Sequence, residues 1–426
     1  MTGAIIFGLL AVLMLTGMPI SISLGLTVLT FLFTMTTVPI EAVAMKLFTG
    51  IEKFEIMAIP FFILAGNFLT HGGVAKRMIR FATALVGHLR GGLALGGIVA
   101  CALFAAVSGS SPATVVAIGS ILLPAMVKQG FPMKFGVGVI GTAGALGILI
   151  PPSIVMVIYA VSTNASIGRL FIAGIIPGLL LTALLMFVTW FVAKKRNYPR
   201  MPRASFGTML KALRECIWGL LLIVVVIGGI YSGIFTPTEA AAMSAVYAFF
   251  VSLFVYRDMG FKDVPKTLLA SANMSAMILY IITNAVLFSF LLTSEQIPQQ
   301  LTSWITEMGL GSVGFLIMVN LLLLAAGNFM EPSSILLITA PLLFPMAMQL
   351  GIDPIHLGVL MTVNMEIGMI TPPVGLNLYV ASGVSRLGLT ETTKACAPWI
   401  LVMLAYLMLI TYVPIISLWL PNLLMK

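Results

Sequence analysis

The sequence has 426 residues, 60% of them hydrophobic and only 8% charged, with a mean hydropathy of +1.14. A soluble domain carries about 25% charged residues, so a water-soluble enzyme or binding module is excluded. The formal net charge of +9 invites a nucleic-acid partner, but the basic residues cluster in short loops, which is the positive-inside bias of membrane proteins, and no nucleic-acid role follows.

Apolar runs of spanning length recur from end to end, so the chain reads as an all-α polytopic protein of the lipid bilayer. Residues 3–37 form one long apolar stretch, bent at Gly17-Met18-Pro19. It has neither a basic start nor a small-residue cleavage site, so it is expected to be retained rather than removed as a signal peptide. Residues 38–54 mix Glu41, Lys46, Glu52 and Lys53 with apolar residues and suit an interfacial helix. A span at 56–70 is followed by a basic amphipathic piece carrying Lys76, Arg77, Arg80 and Arg90.

Residues 91–127 are apolar but interrupted by Ser108-Gly109-Ser110-Ser111-Pro112, which predicts a re-entrant hairpin with a small-residue tip. Residues 135–163 carry Gly147-Ile148-Leu149-Ile150-Pro151-Pro152 inside an otherwise helical run. Proline lacks the backbone N–H and clashes with the carbonyl four residues earlier, so a pair of prolines breaks the helix. A span at 168–193 leads into the basic run Lys194, Lys195, Arg196, Arg200, Arg203, Lys211 and Arg214, the safest cytoplasmic segment.

Spans follow at 217–234, 237–256 and 267–293. Thr236-Pro237-Thr238-Glu239 has the order of a capping box: N-cap Thr, first-turn Pro, and Glu three residues on. Residues 295–308 are polar and amphipathic. Residues 309–350 predict a second hairpin with the tip Gly327-Asn328-Phe329-Met330-Glu331-Pro332-Ser333-Ser334. Residues 356–385 contain the second proline pair, Pro372-Pro373, and the last span is expected at 397–421.

Counting crossings from the basic run sends the first hairpin in from the cytoplasm and the second from the opposite face. No Lys or Arg lies between Lys266 and Arg386. The sequence repeats at an offset of 221: Pro124 matches Pro345, Gly130 matches Gly351, Gly147 matches Gly368, Pro151-Pro152 match Pro372-Pro373, and Pro177 matches Pro398. The organisation expected is an inverted repeat with two re-entrant hairpins and two broken helices. The first half is 1–193, a basic cytoplasmic linker occupies 194–216, and the second half is 217–426.

Non-helical backbone at bilayer depth persists only where protein buries it or water reaches it, and paired broken helices point to a transporter's binding site. The proline pairs free the carbonyls of Gly147 and Ile148 and of Gly368 and Met369. Ser108, Ser110, Ser111, Asn328, Ser333 and Ser334 at the tips supply further oxygens, and Thr142, Asn364 and Asn377 flank the breaks. Such an oxygen set suits a hard cation, while half-helix N-termini suit a carboxylate. The plainer reading is that the prolines only kink helices and the polar residues join them.

Glu331 and Glu366 fall within apolar stretches and either serve an ion or proton, or cap a helix and pair with a polar neighbour. Cys101, Cys216, Cys396, His71, His88 and His356 show no metal-ligand spacing, and there is no phosphate-binding GxxxxGK[ST] loop or catalytic constellation. No cofactor and no enzymatic activity are expected.

Ala58-Ile59-Pro60-Phe61-Phe62-Ile63-Leu64-Ala65-Gly66, the Ser108–Pro112 tip, Gly147–Ser153, Phe235-Thr236-Pro237-Thr238-Glu239-Ala240, Gly327–Pro332 and Pro372-Pro373-Val374-Gly375-Leu376-Asn377 together resemble the large membrane subunit of TRAP (tripartite ATP-independent periplasmic) transporters. The resemblance covers essentially the whole chain and is greatest to the C4-dicarboxylate branch. It implies a sodium-driven elevator-type importer of organic acids such as succinate, malate and fumarate in the bacterial inner membrane. It also implies two partners: a small four-helix membrane subunit, expected as a separate chain, and a periplasmic solute-binding protein that delivers the substrate. Mapped here, the family's sodium sites fall in the regions Ser108–Pro112, Gly147–Pro152, Asn328–Ser334 and Gly368–Pro373, in which Ser108, Gly109, Ser110, Gly147, Pro151, Asn328, Glu331, Gly368 and Pro372 are the candidate ligands. Substrate candidates are Ser111, Pro152, Ser333, Ser334, Asn364, Pro373 and Asn377. A stand-alone ion-coupled carrier, or a relative taking sialic acid or a keto acid, is the alternative.

Overall fold

The computed structural model describes residues 2–36, 39–307, 309 and 311–425. Thr37, Val38, Met308 and Leu310, which fall in the expected stretches 3–37, 38–54, 295–308 and 309–350, lie outside the described residues. Within them the chain is helical, and no strand occurs.

The helices of the first half are α1 (Thr2–Leu15), α2 (Ile20–Met35), α3 (Ile40–Thr49), α4 (Ala58–His71), α5 (Val74–Val86), α6 (Gly92–Ser108), α7 (Ser111–Lys128), α8 (Met133–Ala143), α9 (Ile154–Thr163) and α10 (Ile167–Lys195). Those of the second half are α11 (Phe206–Ile223), α12 (Gly229–Tyr231), α13 (Pro237–Phe250), α14 (Val264–Ser294), α15 (Ile297–Glu307), α16 (Gly311–Gly327), α17 (Pro332–Gln349), α18 (Pro354–Gly368), α19 (Leu376–Ser385), α20 (Leu389–Tyr412) and α21 (Ile415–Leu424). Eight helical segments among the described residues are long and apolar enough to cross a membrane. The protein is a multi-pass membrane protein.

Both hairpins and both breaks form where the sequence placed them. The tips are the turns between α6 and α7 and between α16 and α17. The breaks lie between α8, extended by a 3-10 turn at Gly144–Ile148, and α9, and between α18 and α19. The repeat is visible in the element bounds: at the offset of 221, Ser111–Lys128 falls on Pro332–Gln349, and the start of α8 at Met133 falls on the start of α18 at Pro354. α17 and α18 start on a proline and α7 has Pro112 in its first turn, where the missing N–H costs nothing, while Pro132 is the N-cap of α8. The capping box also forms, with the Thr236 N–H donating to Glu239 Oε2 (2.8 Å) and the Glu239 N–H donating to Thr236 Oγ1 (3.3 Å).

Three stretches differ from the sequence reading. The apolar stretch 3–37 is two helices that fold back on each other rather than one bent span. Gly3 faces Ile297, Phe7 packs edge-on against Phe288 at 6.0 Å, and Gly25 faces Asn284, so α1 and α2 both meet the same end of α14 and its continuation into α15. Gly17 takes φ +85, a left-handed conformation that reverses the chain, and Pro19 leads directly into α2. The basic linker is shorter than 194–216, because α10 runs through Lys195 and α11 starts at Phe206, with Lys211 and Arg214 on its surface. The last span begins earlier than 397, at Leu389, and is interrupted at Pro414, which cannot continue the backbone hydrogen bonding.

Buried polar ties join helices far apart in sequence. The Trp399 indole N–H on α20 donates to Thr189 Oγ1 on α10 (2.9 Å), and the Tyr406 hydroxyl donates to the Pro177 carbonyl (2.8 Å). Thr189→Val would leave the buried indole N–H unpaired at nearly constant volume. We expect it to cost about 1 kcal/mol, read as a lowered melting temperature of the detergent-solubilised protein. On the basic face, Arg77 pairs with Asp258 and Lys134 with Glu391, which fastens α5 and α8 to segments far away in sequence.

Candidate ion and substrate site at the two helix breaks

Each hairpin tip is seated on the helix break of its own half. A Cβ at Gly147 would stand 2.6 Å from the Ser110 carbonyl oxygen and 2.7 Å from Ser111 Cα. A Cβ at Gly368 would stand 2.6 Å from Gly327 Cα. Contact this close brings main-chain polar groups of tip and break together, so they must find their hydrogen-bond partners in each other or in nearby side chains.

At the first break, Ser108 Oγ lies 3.2 Å from Thr114 Oγ1, and Thr114 Oγ1 donates to the Ser110 carbonyl (2.8 Å). Ser111 Oγ donates to the Gly144 carbonyl (2.9 Å) and accepts from Asn377 Nδ2 (2.6 Å). Asn377 belongs to α19, so this chain of bonds joins the first tip and first break to the second break. Gly109, at φ +59, lies against the Pro152 carbonyl, and Pro151 and Pro152 are buried.

At the second break, the Asn328 carbonyl accepts from the backbone N–H groups of Val374 (3.1 Å) and Gly375 (3.3 Å). Thr371 Oγ1 donates to the Ile367 carbonyl (2.6 Å), and Pro372 and Pro373 are exposed. Both proline pairs contain a cis bond, Pro151-Pro152 and Pro372-Pro373.

The expectation that the proline pairs leave four free carbonyls is corrected. Ser153 Oγ, capping α9, donates to the Ile148 carbonyl (2.5 Å). The Gly368 carbonyl accepts from the Thr371 N–H (3.2 Å), and the Met369 carbonyl accepts from the Asn377 N–H (2.8 Å). Only the Gly147 carbonyl receives no donor among the described residues. Local turn and cap donors have replaced the missing proline N–H groups.

Other oxygens stand open instead. Asn328 Oδ1 and Asn377 Oδ1 are buried without a hydrogen-bond partner among the described residues. Buried acceptors without donors are costly unless a cation or water satisfies them.

Glu331 is the N-cap of α17. Its Oε1 accepts from Ser333 Oγ (2.6 Å) and its Oε2 from the Ser334 N–H (3.2 Å), so the carboxylate and both serines are engaged in starting the helix. Thr142 hydrogen-bonds back to the Gly138 carbonyl (2.7 Å) on its own helix. Asn364 stands apart from the tips. Its Nδ2 donates to Asn320 Oδ1 (2.8 Å), within a buried polar string that continues through Thr411 and His356 to Ser417. Glu366 is fully buried, and neither of its oxygens has a hydrogen-bond partner among the described residues, which speaks against the alternative of a polar neighbour. Sequence reasoning missed Thr114 and Ser153 as site-builders. Ser153 carried a signal, a serine opening an apolar run just after a helix break.

Residues 7–416 match the family described as "Tripartite ATP-independent periplasmic transporter, DctM component". The chain is 70% identical to the C4-dicarboxylate TRAP transporter large permease protein DctM of Rhodobacter capsulatus, over 100% of both chains. It is 57% identical to the protein of the same name from Pseudomonas aeruginosa, over 90% of each chain. It is 37% identical to the sialic acid TRAP transporter large permease protein SiaM of Vibrio cholerae, over 98% of each. Among solved structures, the YdaH transporter of Alcanivorax borkumensis shares the fold at a TM-score of 0.64 and 18% identity, over 92% of this chain and 90% of that one. A helical carrier scaffold built from repeated hairpins and broken helices is thus accompanied by full-length relatedness. The chain belongs to the DctM family, the large permease subunits of TRAP transporters.

Proposed function

We propose that this subunit imports C4-dicarboxylates such as succinate, malate and fumarate across the bacterial inner membrane, coupled to inward sodium flow. The substrate class rests on the names of the Rhodobacter and Pseudomonas relatives and on the high identity to them. A separate small membrane subunit packs beside it, and a periplasmic binding protein delivers the substrate. The subunit makes and breaks no covalent bond.

The observation that carries the site is the Asn377–Ser111–Gly144 chain of hydrogen bonds, flanked by the open oxygens of Asn328, Asn377 and Gly147. These suit sodium, a hard cation that takes neutral oxygen ligands. The hairpins and broken helices travel together as a rigid body, and α4, α11, α13 and α14 serve as its frame.

The test is uptake into proteoliposomes holding the large and small subunits, with loaded binding protein outside. Labelled succinate accumulates under an inward sodium gradient, and neither without sodium nor without the binding protein. Full-rate uptake driven by a proton gradient in sodium-free buffer overturns the ion. Full-rate uptake by the large subunit alone overturns the tripartite assembly.

A further inference from the structure

The basic loops mark one face of the protein, and α10 ends in them at Lys194-Lys195, so its start at Ile167 and the preceding Asn164 lie on the opposite face. Counting crossings places the described residues Glu41, Glu52, Glu55, Glu239, Glu295, Glu307 and Asp353 on that outer face, against Lys46, Lys53 and Arg169. An acidic surface repels a dianion. Arg169 bonds to Asn422 Oδ1 (2.8 Å). Among the described residues, Lys46 and Lys53 both line one cavity of about 240 Å³, and Arg169 lies outside it.

One wall of the cavity comes from α3 and α14, the other from α9 and α17. Its polar lining is Lys46, Thr49, Lys53, Ser162 and Ser289, with no carboxylate among the described lining residues. Neither lysine has an ion-pair partner among the described residues. Lys53 Nζ donates to the Val161 carbonyl (2.9 Å) and to Asn164 Oδ1 (2.7 Å), which holds the ammonium at the cavity wall. Lys46 Nζ stands 5.4 Å from the Phe290 ring centroid. The positive-inside bias works against lysines on this face, so two in one cavity ask for a reason. The α17 residues lining the cavity, Leu337 and Pro341, lie one and two turns beyond Ser333 on the same helix. The cavity therefore sits between the outer face and the second hairpin tip.

We infer that this cavity is an outer vestibule that captures the dicarboxylate as a dianion, with Lys46 and Lys53 each facing one carboxylate and Thr49, Ser162 and Ser289 supplying hydroxyl donors. A positive spot recessed in an acidic face focuses an anion into itself and raises its local concentration. The inference rests on the dicarboxylate reading above.

The experiment uses the two-subunit complex in nanodiscs. Ser289→Cys places a thiol in the cavity, and the native Cys101, Cys216 and Cys396 are buried. Without binding protein, succinate is expected to slow thiol modification, whereas butyrate or sodium chloride at matched ionic strength is not. Adding Lys46→Gln and Lys53→Gln should abolish the protection, and Lys46→Arg with Lys53→Arg should keep it. In reconstituted vesicles with limiting loaded binding protein, the double Gln variant should take up succinate about tenfold more slowly.

Wild-type vesicles that take up no succinate overturn the dicarboxylate reading itself. Wild-type uptake combined with an unprotected Ser289→Cys thiol overturns the vestibule alone. Protection that follows anionic lipid content rather than succinate assigns the lysines to a lipid headgroup and overturns it as well. A double Gln variant that loses uptake while its thiol keeps full succinate protection makes the lysines a docking point for the binding protein, and the vestibule fails.

Discussion

Gly368→Ala is expected to cut succinate uptake at least about 100-fold, since a misplacement of the order of 1 Å in a working site can cost that much. The added methyl would meet Gly327 Cα at 2.6 Å, Gly327 C at 2.8 Å and Gly327 O at 3.0 Å. All three are main-chain atoms of the opposing tip, so no side chain can rotate away, and the tip must lift off its break. Lifting it parts the Asn328 carbonyl from the Val374 and Gly375 N–H groups, just where α19, which carries Asn377, begins. Gly147→Ala, with a methyl 2.6 Å from the Ser110 oxygen and 2.7 Å from Ser111 Cα, should behave alike at the first break. Surface-accessible amount and size-exclusion profile separate this effect from misfolding. A normally assembled Gly368→Ala complex with wild-type uptake would show that the tip–break contact is not used.

Asn377→Ala should raise the sodium concentration for half-maximal uptake by about tenfold or more, the usual range when a group that orients or supplies a metal ligand is removed. Asn377 contributes in two directions: its Nδ2 holds Ser111 at 2.6 Å, and its Oδ1 is a buried acceptor with no partner. Alanine removes both but leaves the backbone bond from the residue 377 N–H to the Met369 carbonyl, so the helix start survives. Asn377→Asp separates the two contributions, because it keeps an oxygen and adds charge while losing the donor to Ser111. Sodium titration of uptake for both variants is the measurement. An unaltered sodium curve for Asn377→Ala removes this residue from the proposed ion site.

The large features of the fold were legible because they depend on residue types with few conformational options. Pro151-Pro152 and Pro372-Pro373 could not sit inside a continuous helix, and Ser108–Pro112 and Asn328–Ser334 could not be ordinary mid-span sequence. Thr236 and Glu239 formed their reciprocal cap because the interaction is entirely local.

What was not legible depends on partners distant in sequence. The choice at Gly17 between a bend and a reversal is made by Ile297, Phe288 and Asn284, which the local pattern does not reveal. The carbonyl of Met369 was counted as free because its donor, the Asn377 N–H, lies beyond an irregular turn. Ser111 looked like one more hydroxyl of the first tip, and only the fold brings Asn377 of the other half to it. Glu366 stayed open between an ion or proton role and a polar neighbour, because only tertiary packing decides between them, and the structure supplies no hydrogen-bond partner among the described residues.

The unequal exposure of the two proline pairs has a kinetic consequence. Pro151 and Pro152 are sealed, while Pro372 and Pro373 open to the surroundings. If the proposed ions rested beside both pairs, they would not be exchanged on one clock. An ion beside the first pair could leave only when the protein moves, and one beside the second would have less protein to displace. Arrival would then be ordered for the same reason, with the enclosed position filled first. A chain whose halves are near-copies in length and proline placement can thus impose a sequence of events simply by burying one copy and leaving the other bare.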